Sequence, residues 1–131
     1  MNTKRYVLGS LAVFAVIFVF EWIFHGMFLK DLYNQTAAMW RPQDECVFPA
    51  LATGQLILAF IFTLIFTKGY ENKGIAEGIR YGVLIGMLFV PGHLMFYAVQ
   101  PLPPILVIYW CIGGIIEMIL AGAALAAVYK S

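Results

Sequence analysis

Residues 74–93 read GIAEGIRYGVLIGMLFVPGH. Gly74, Gly78, Gly82 and Gly86 return at every fourth position, and Val90-Pro91-Gly92-His93 then breaks the rhythm. Glycine is a poor helix former in water. In lipid the balance differs, because apolar side chains gain little by leaving acyl tails for one another. Helices there associate by close packing, which small residues permit. Residues four apart share a helix face, so the four glycines predict a smooth groove along a membrane-spanning helix. Gly114, Gly122 and Ala126 offer a matching small face later in the chain. The stripe serves either a contact inside the chain, a contact between subunits, or a flat surface for a cofactor.

The rest of the chain agrees with a membrane setting. Of 131 residues, 63% are hydrophobic and 11% charged, against roughly half and a quarter in soluble domains. The excess falls in four blocks, 6–29, 47–67, 74–99 and 104–129. Each is long enough for the ~20 residues that cross the hydrocarbon core. The first block resembles a signal peptide in its charged start, Lys4-Arg5. No small-x-small cleavage site follows, and the apolar run continues to Leu29, so it reads as a retained span. The expected fold is all-α: one integral-membrane domain of four helices in an up-down-up-down bundle.

Loops complete the picture. Leu29, Leu32, Tyr33, Thr36, Met39 and Trp40 form one face of a short amphipathic helix between the first and second spans. Such a helix lies in the membrane interface, as a cover on the bundle end or as a lid over a site. Gly69 is placed to end the second span and Gly74 to open the third. Pro101, Pro103 and Pro104 stiffen the turn before the fourth. Lys4, Arg5, Lys68, Lys73, Arg80 and Lys130 fall on the side of the termini, against Lys30 and Arg41 on the other. That asymmetry predicts cytoplasmic termini, in a bacterial inner membrane if the source is bacterial. Net charge is +1, which leaves no footprint for nucleic acid. Cys46 and Cys111 have no metal-type spacing and read as free thiols.

Candidate chemistry rests on ionisable groups inside the spans, which are costly there and default to functional candidates. Glu21 and His25 stand four apart and share a helix face. His93 ends the third apolar block as His25 ends the first, within the similar tetrapeptides His25-Gly26-Met27-Phe28 and His93-Leu94-Met95-Phe96. Counted from the outer helix ends, His25 lies about 6 Å deep, Glu21 and His93 about 10 to 12 Å, and Glu117 about 20 Å. His25, His93 and Glu21 form a candidate metal set, whose donors suit a divalent metal better than a haem. Glu117, Glu21 and Arg80 form a candidate ion or proton path, with Arg80 reaching toward Glu117 from the cytoplasmic end. Each histidine otherwise serves a helix end by bonding a freed carbonyl, such as that of Met87 one turn before Pro91. Glu77 and Arg80, three apart, read as a helix-end ion pair.

No catalytic triad, phosphate loop, paired-carboxylate glycosidase arrangement or Cys-x-x-Cys is present. An enzyme therefore has no motif to rest on. The sequence points first to a small membrane protein that packs with itself or with other membrane subunits. A transporter or proton carrier comes second, and a metal or haem protein third.

Overall fold

The computed structural model describes residues 1–130. Four helices occupy the four apolar blocks: α1 (Thr3–Ile23), α3 (Phe48–Lys68), α4 (Ile75–Val99) and α5 (Pro104–Val128), with the short α2 (Lys30–Gln35) between the first two. Each long helix is apolar and long enough to cross a membrane, and no described residue is in a strand. The protein is an integral membrane protein on those grounds.

Its outer surface supports this. Leu84 and Leu88 of α4 are 68% and 67% exposed. Large apolar patches of this kind are rare on soluble monomers and ordinary against lipid. Inside, Val13 and Ile17 of α1 meet Ala59, Phe62 and Phe66 of α3, Ile85 of α4, and Met118, Ala121 and Leu125 of α5. α1 packs against α3 and α5, and α4 packs most extensively against α5. α1 and α4 are therefore diagonal across the bundle. α3 and α4 meet more sparsely, chiefly through Tyr81. Its ring lies 4.7 Å from that of Phe62, and its hydroxyl donates to the Phe62 carbonyl at 2.5 Å.

Local chemistry sets the ends. Asn2 caps α1 by accepting from the Arg5 amide at 3.1 Å, the usual N-cap device. Pro49 lies in the first turn of α3 and Pro104 starts α5, where a missing N–H costs nothing. Gly69 ends α3. Gly74 caps α4 with φ +76°, a left-handed conformation that glycine adopts without strain. α4 continues through Pro91 to Val99 without interruption.

Two local expectations need correction. Glu77 does not pair with Arg80. Its carboxylate instead accepts the backbone amides of Glu71 at 2.7 Å and Lys73 at 2.9 Å, tying down the α3–α4 turn. Two fixed amide donors at a helix start suit a carboxylate better than a flexible, exposed arginine. The interfacial helix is also shorter than its apolar pattern. It stops at Gln35, and Ala37–Met39 forms a single 3-10 turn. The Thr36 hydroxyl bonds back to the Leu32 carbonyl at 2.9 Å, and the Thr36 amide to Tyr33 at 3.2 Å, which tightens the last turn. The apolar face still does its work. Leu29, Leu102, Leu106 and Val107 form a second core with Leu32, Tyr33, Met39 and Trp40 packed against it.

The glycine stripe lies inside the chain, against α5. A Cβ on Gly78 would strike the Gly122 carbonyl and come within 2.7 Å of Ala126 Cβ. One on Gly82 would meet the Met118 carbonyl, and one on Gly86 would come within 2.7 Å of Ile115 Cα. Gly74 departs from the stripe, since nothing lies within 4 Å of its Cβ position. Gly114 also faces α4, but more openly: the nearest atom to its Cβ position is His93 Nε2, 3.8 Å away.

Candidate functional site

Where α1 approaches its end, the helix changes pitch. Phe24–Phe28 forms a π turn, whose Leu29 amide returns to the Phe24 carbonyl at 2.9 Å. Such turns insert a residue into a helix and re-aim its side chains. Here the turn lays the Phe24 ring flat on Gly113 of α5 and points His25 inward.

His25 is bonded at both ring nitrogens. Nε2 lies 2.8 Å from Glu21 Oε2, one turn back, and Nδ1 lies 2.6 Å from the Tyr33 hydroxyl. Tyr33 comes from α2, and its oxygen also accepts from Trp110 Nε1 of α5 at 2.8 Å. An indole N–H only donates. Tyr33 is thereby left with its own hydrogen to offer to His25 Nδ1. The hydrogen-bonded chain runs from Trp110 through Tyr33 and His25 to Glu21. Burial pushes the Tyr33 phenol up to about 12, so it remains a donor across the physiological range.

Glu117 closes the chain from α5. The residue is only 6% exposed, and its Oε2 is buried without a hydrogen-bond partner. Its carboxyl shares one cavity with that of Glu21. Together Glu21, Phe24, His25, Tyr33, His93, Trp110, Gly114 and Glu117 line a cavity of about 240 Å³. His93 sits on its wall, 5.9 Å ring to ring from Trp110.

The shared depth of Glu21 and Glu117 corrects the count made from helix ends. Phe28 packs edge-on against Tyr109 at 5.4 Å, so these two residues mark one level. Glu21 is seven residues below the first and Glu117 eight below the second, about 10 and 12 Å by helical rise. α5 begins five residues above Tyr109, so its start projects past the end of the π turn, and the interfacial segment packs against that projecting end.

The candidate sets are thus redistributed. Glu21, His25, His93 and Glu117 line one cavity. Arg80 is not among them: it is exposed and lines a separate depression with Glu71, Glu77 and Tyr81. Nor do the metal candidates converge as ligands. Among the described residues no three His, Cys, Asp or Glu side chains are placed to hold one ion. The bonds to both His25 nitrogens give the reason, because a metal ligand needs one free lone pair. Both cysteines are free thiols.

No family model matches this chain, and no curated protein or solved structure shows significant similarity to it.

Sequence reasoning passed over Tyr33, Phe24 and Trp110. One signal was available. Trp110, Gly114 and Glu117 follow the i, i+4, i+7 spacing of a single helix face, with a polar-tipped ring and a carboxylate flanking a gap left by glycine. Tyr33 was legible only as part of the apolar face of the interfacial helix; its bond to His25, eight residues back, was not.

Proposed function

We propose that this protein takes up and passes on protons or exchangeable cations at a carboxyl pair inside its bundle. The observation that carries the reading is the meeting of Glu21 and Glu117 in one cavity, the second nine-tenths buried with an unpartnered oxygen. Two carboxylates this close repel each other in an apolar setting. One proton or cation held between them relieves the repulsion and gives the orphaned oxygen a partner.

His25 and Tyr33 supply a hydrogen-bonded route between the pair and the interfacial segment. On this reading the termini are cytoplasmic, as the Lys and Arg asymmetry predicts, and this end of the bundle lies on the opposite side. The glycine stripe, on which association with itself or with a larger complex would rest, is spent on the α4–α5 contact. It therefore gives that reading no surface.

The test is proton movement in reconstituted vesicles under an imposed pH gradient, alongside an infrared titration of the protonated-carboxyl band. The wild type should carry a titrating band that Glu117→Gln removes, and a flux that falls in Glu21→Gln/Glu117→Gln. A flux and band unchanged in the double variant would refute the carboxyl pair as carrier.

A further inference from the structure

The walls of the cavity differ from its floor. The floor is Glu21 and Glu117. The walls are the rings of Phe24, Tyr33 and Trp110. The glycine at position 114 keeps the space between Trp110 and Glu117 open, with nothing nearer than His93 Nε2 at 3.8 Å from its Cβ position. The side chains of Glu21 and His25 are 31% and 35% exposed, so the chamber can be reached from outside the bundle.

We infer that this chamber binds a small organic monocation, an ammonium bearing methyl or methylene groups, in exchange for a proton. The inference rests on the carboxyl-pair reading above and names the cargo. Three features select this class. The aromatic faces attract a cation through their quadrupoles, tryptophan most strongly. They offer no donor atoms to an inorganic ion, and no ligand set for one is assembled among the described residues. The volume of about 240 Å³ suits a small headgroup-sized cation.

Charge is conserved in this exchange. A carboxyl pair holding one proton carries one negative charge, and the doubly ionised pair holding one monocation carries the same charge, so the proposed exchange of one cation for one proton is electroneutral. The groups facing Glu117 across the chamber are Glu21 and His25 from α1 and its π turn, Tyr33 from α2 and His93 from α4. A proton taken up by either imidazole would repel the cation as well, so binding weakens as pH falls by either route.

The experiment uses the full-length protein in detergent or nanodiscs. Choline and tetramethylammonium are titrated by calorimetry, with 3,3-dimethyl-1-butanol as the uncharged isostere of choline. The expected result is saturable binding of both cations, at least about tenfold tighter than the alcohol, with proton release in weak buffer. Trp110→Leu should weaken binding about threefold to thirtyfold, and Trp110→Phe less. Equal binding of choline and the alcohol would overturn the proposal, as would the absence of cation binding to the wild type. Because these comparisons use the unmutated chain, a misfolded variant does not blunt them. A carboxyl band that titrates without cation binding would sink the cargo and leave the carboxyl-pair reading standing. A band that does not titrate in the wild type would sink both.

Discussion

Replacing Gly78 by alanine should destabilise the bundle without altering any association between chains. The new Cβ would overlap the Gly122 carbonyl and come within 2.7 Å of Ala126 Cβ and of the Gly122 carbonyl carbon. Two of these three are backbone atoms of a regular helix, which cannot rotate away. Ordinary contact begins near 3.4 Å, so α4 and α5 must part by roughly 1 Å, enough to forfeit up to half of each van der Waals contact along the seam. Gly82 and Gly86 share that seam and lose their contacts too. The cost falls at the upper end of the 1–3 kcal/mol typical of overpacking, about 3 kcal/mol. Gly54→Ala in α3 is the control. Nothing lies within 4 Å of its Cβ position, and alanine is the better helix residue by about 1 kcal/mol. The assay is unfolding by SDS titration in mixed micelles, followed by circular dichroism, with light scattering to record mass. Gly78→Ala should unfold at clearly lower SDS and Gly54→Ala at the same or higher. Equal midpoints for the two variants, or a Gly78→Ala midpoint at the wild-type value, would refute the argument. So would a change in mass without a change in midpoint.

Glu117→Leu should raise the unfolding midpoint by about 1–3 kcal/mol while abolishing the titrating carboxyl band, because a buried oxygen without a partner is exchanged for apolar packing; a loss of stability would mean that the carboxyl is structural. Tyr33→Phe should cost about 1–2 kcal/mol, since it strands Trp110 Nε1 and His25 Nδ1 together. The same variant should delete one phenol that ionises near pH 12 rather than 10, read by ultraviolet absorbance. The folded protein holds that proton after the unfolded chain has lost it. The stabilisation is complete below pH 10 and is lost as pH rises toward 12, and Tyr33→Phe should flatten that part of the stability curve. Glu77→Ala should release the Glu71 and Lys73 amides, costing about 2 kcal/mol, with faster hydrogen exchange confined to the turn before α4.

The fold was legible because lipid imposes a simple demand. Every backbone group must be satisfied within the helix, so spans announce themselves by length and apolarity, and the four helices occupy the four apolar blocks. The i, i+4 spacing of Glu21 and His25 places them on one face for the same geometric reason. What could not be read was vertical register. Counting each helix from its own end assumes that all ends lie at one height, and the contact of Phe28 with Tyr109 removes that assumption. Glu117 then rises to meet Glu21, and Arg80 is left at the far end. The π turn was invisible because Phe24–Phe28 has no residue that forbids an α-helix. Periodicity set Tyr33 on the covering face of the interfacial helix but could not report its bond to His25.

The long helices are of unequal length. α3 has 21 residues and α5 has 25, about 31 and 37 Å of rise. A hydrocarbon layer ~30 Å thick accepts the first nearly upright, whereas the second must lean or stretch the bilayer around it. Helices that lean differently diverge, and α3 and α4 meet only sparsely, around Tyr81. The perimeter presented to lipid is therefore uneven in height, low along α3 and tall along α4 and α5. Acyl chains beside α3 are compressed and those beside α5 extended, so the energy of the protein in a membrane depends on bilayer thickness. Lipid chain length thus acts through α3, which contributes no residue to the cavity of Glu21 and Glu117.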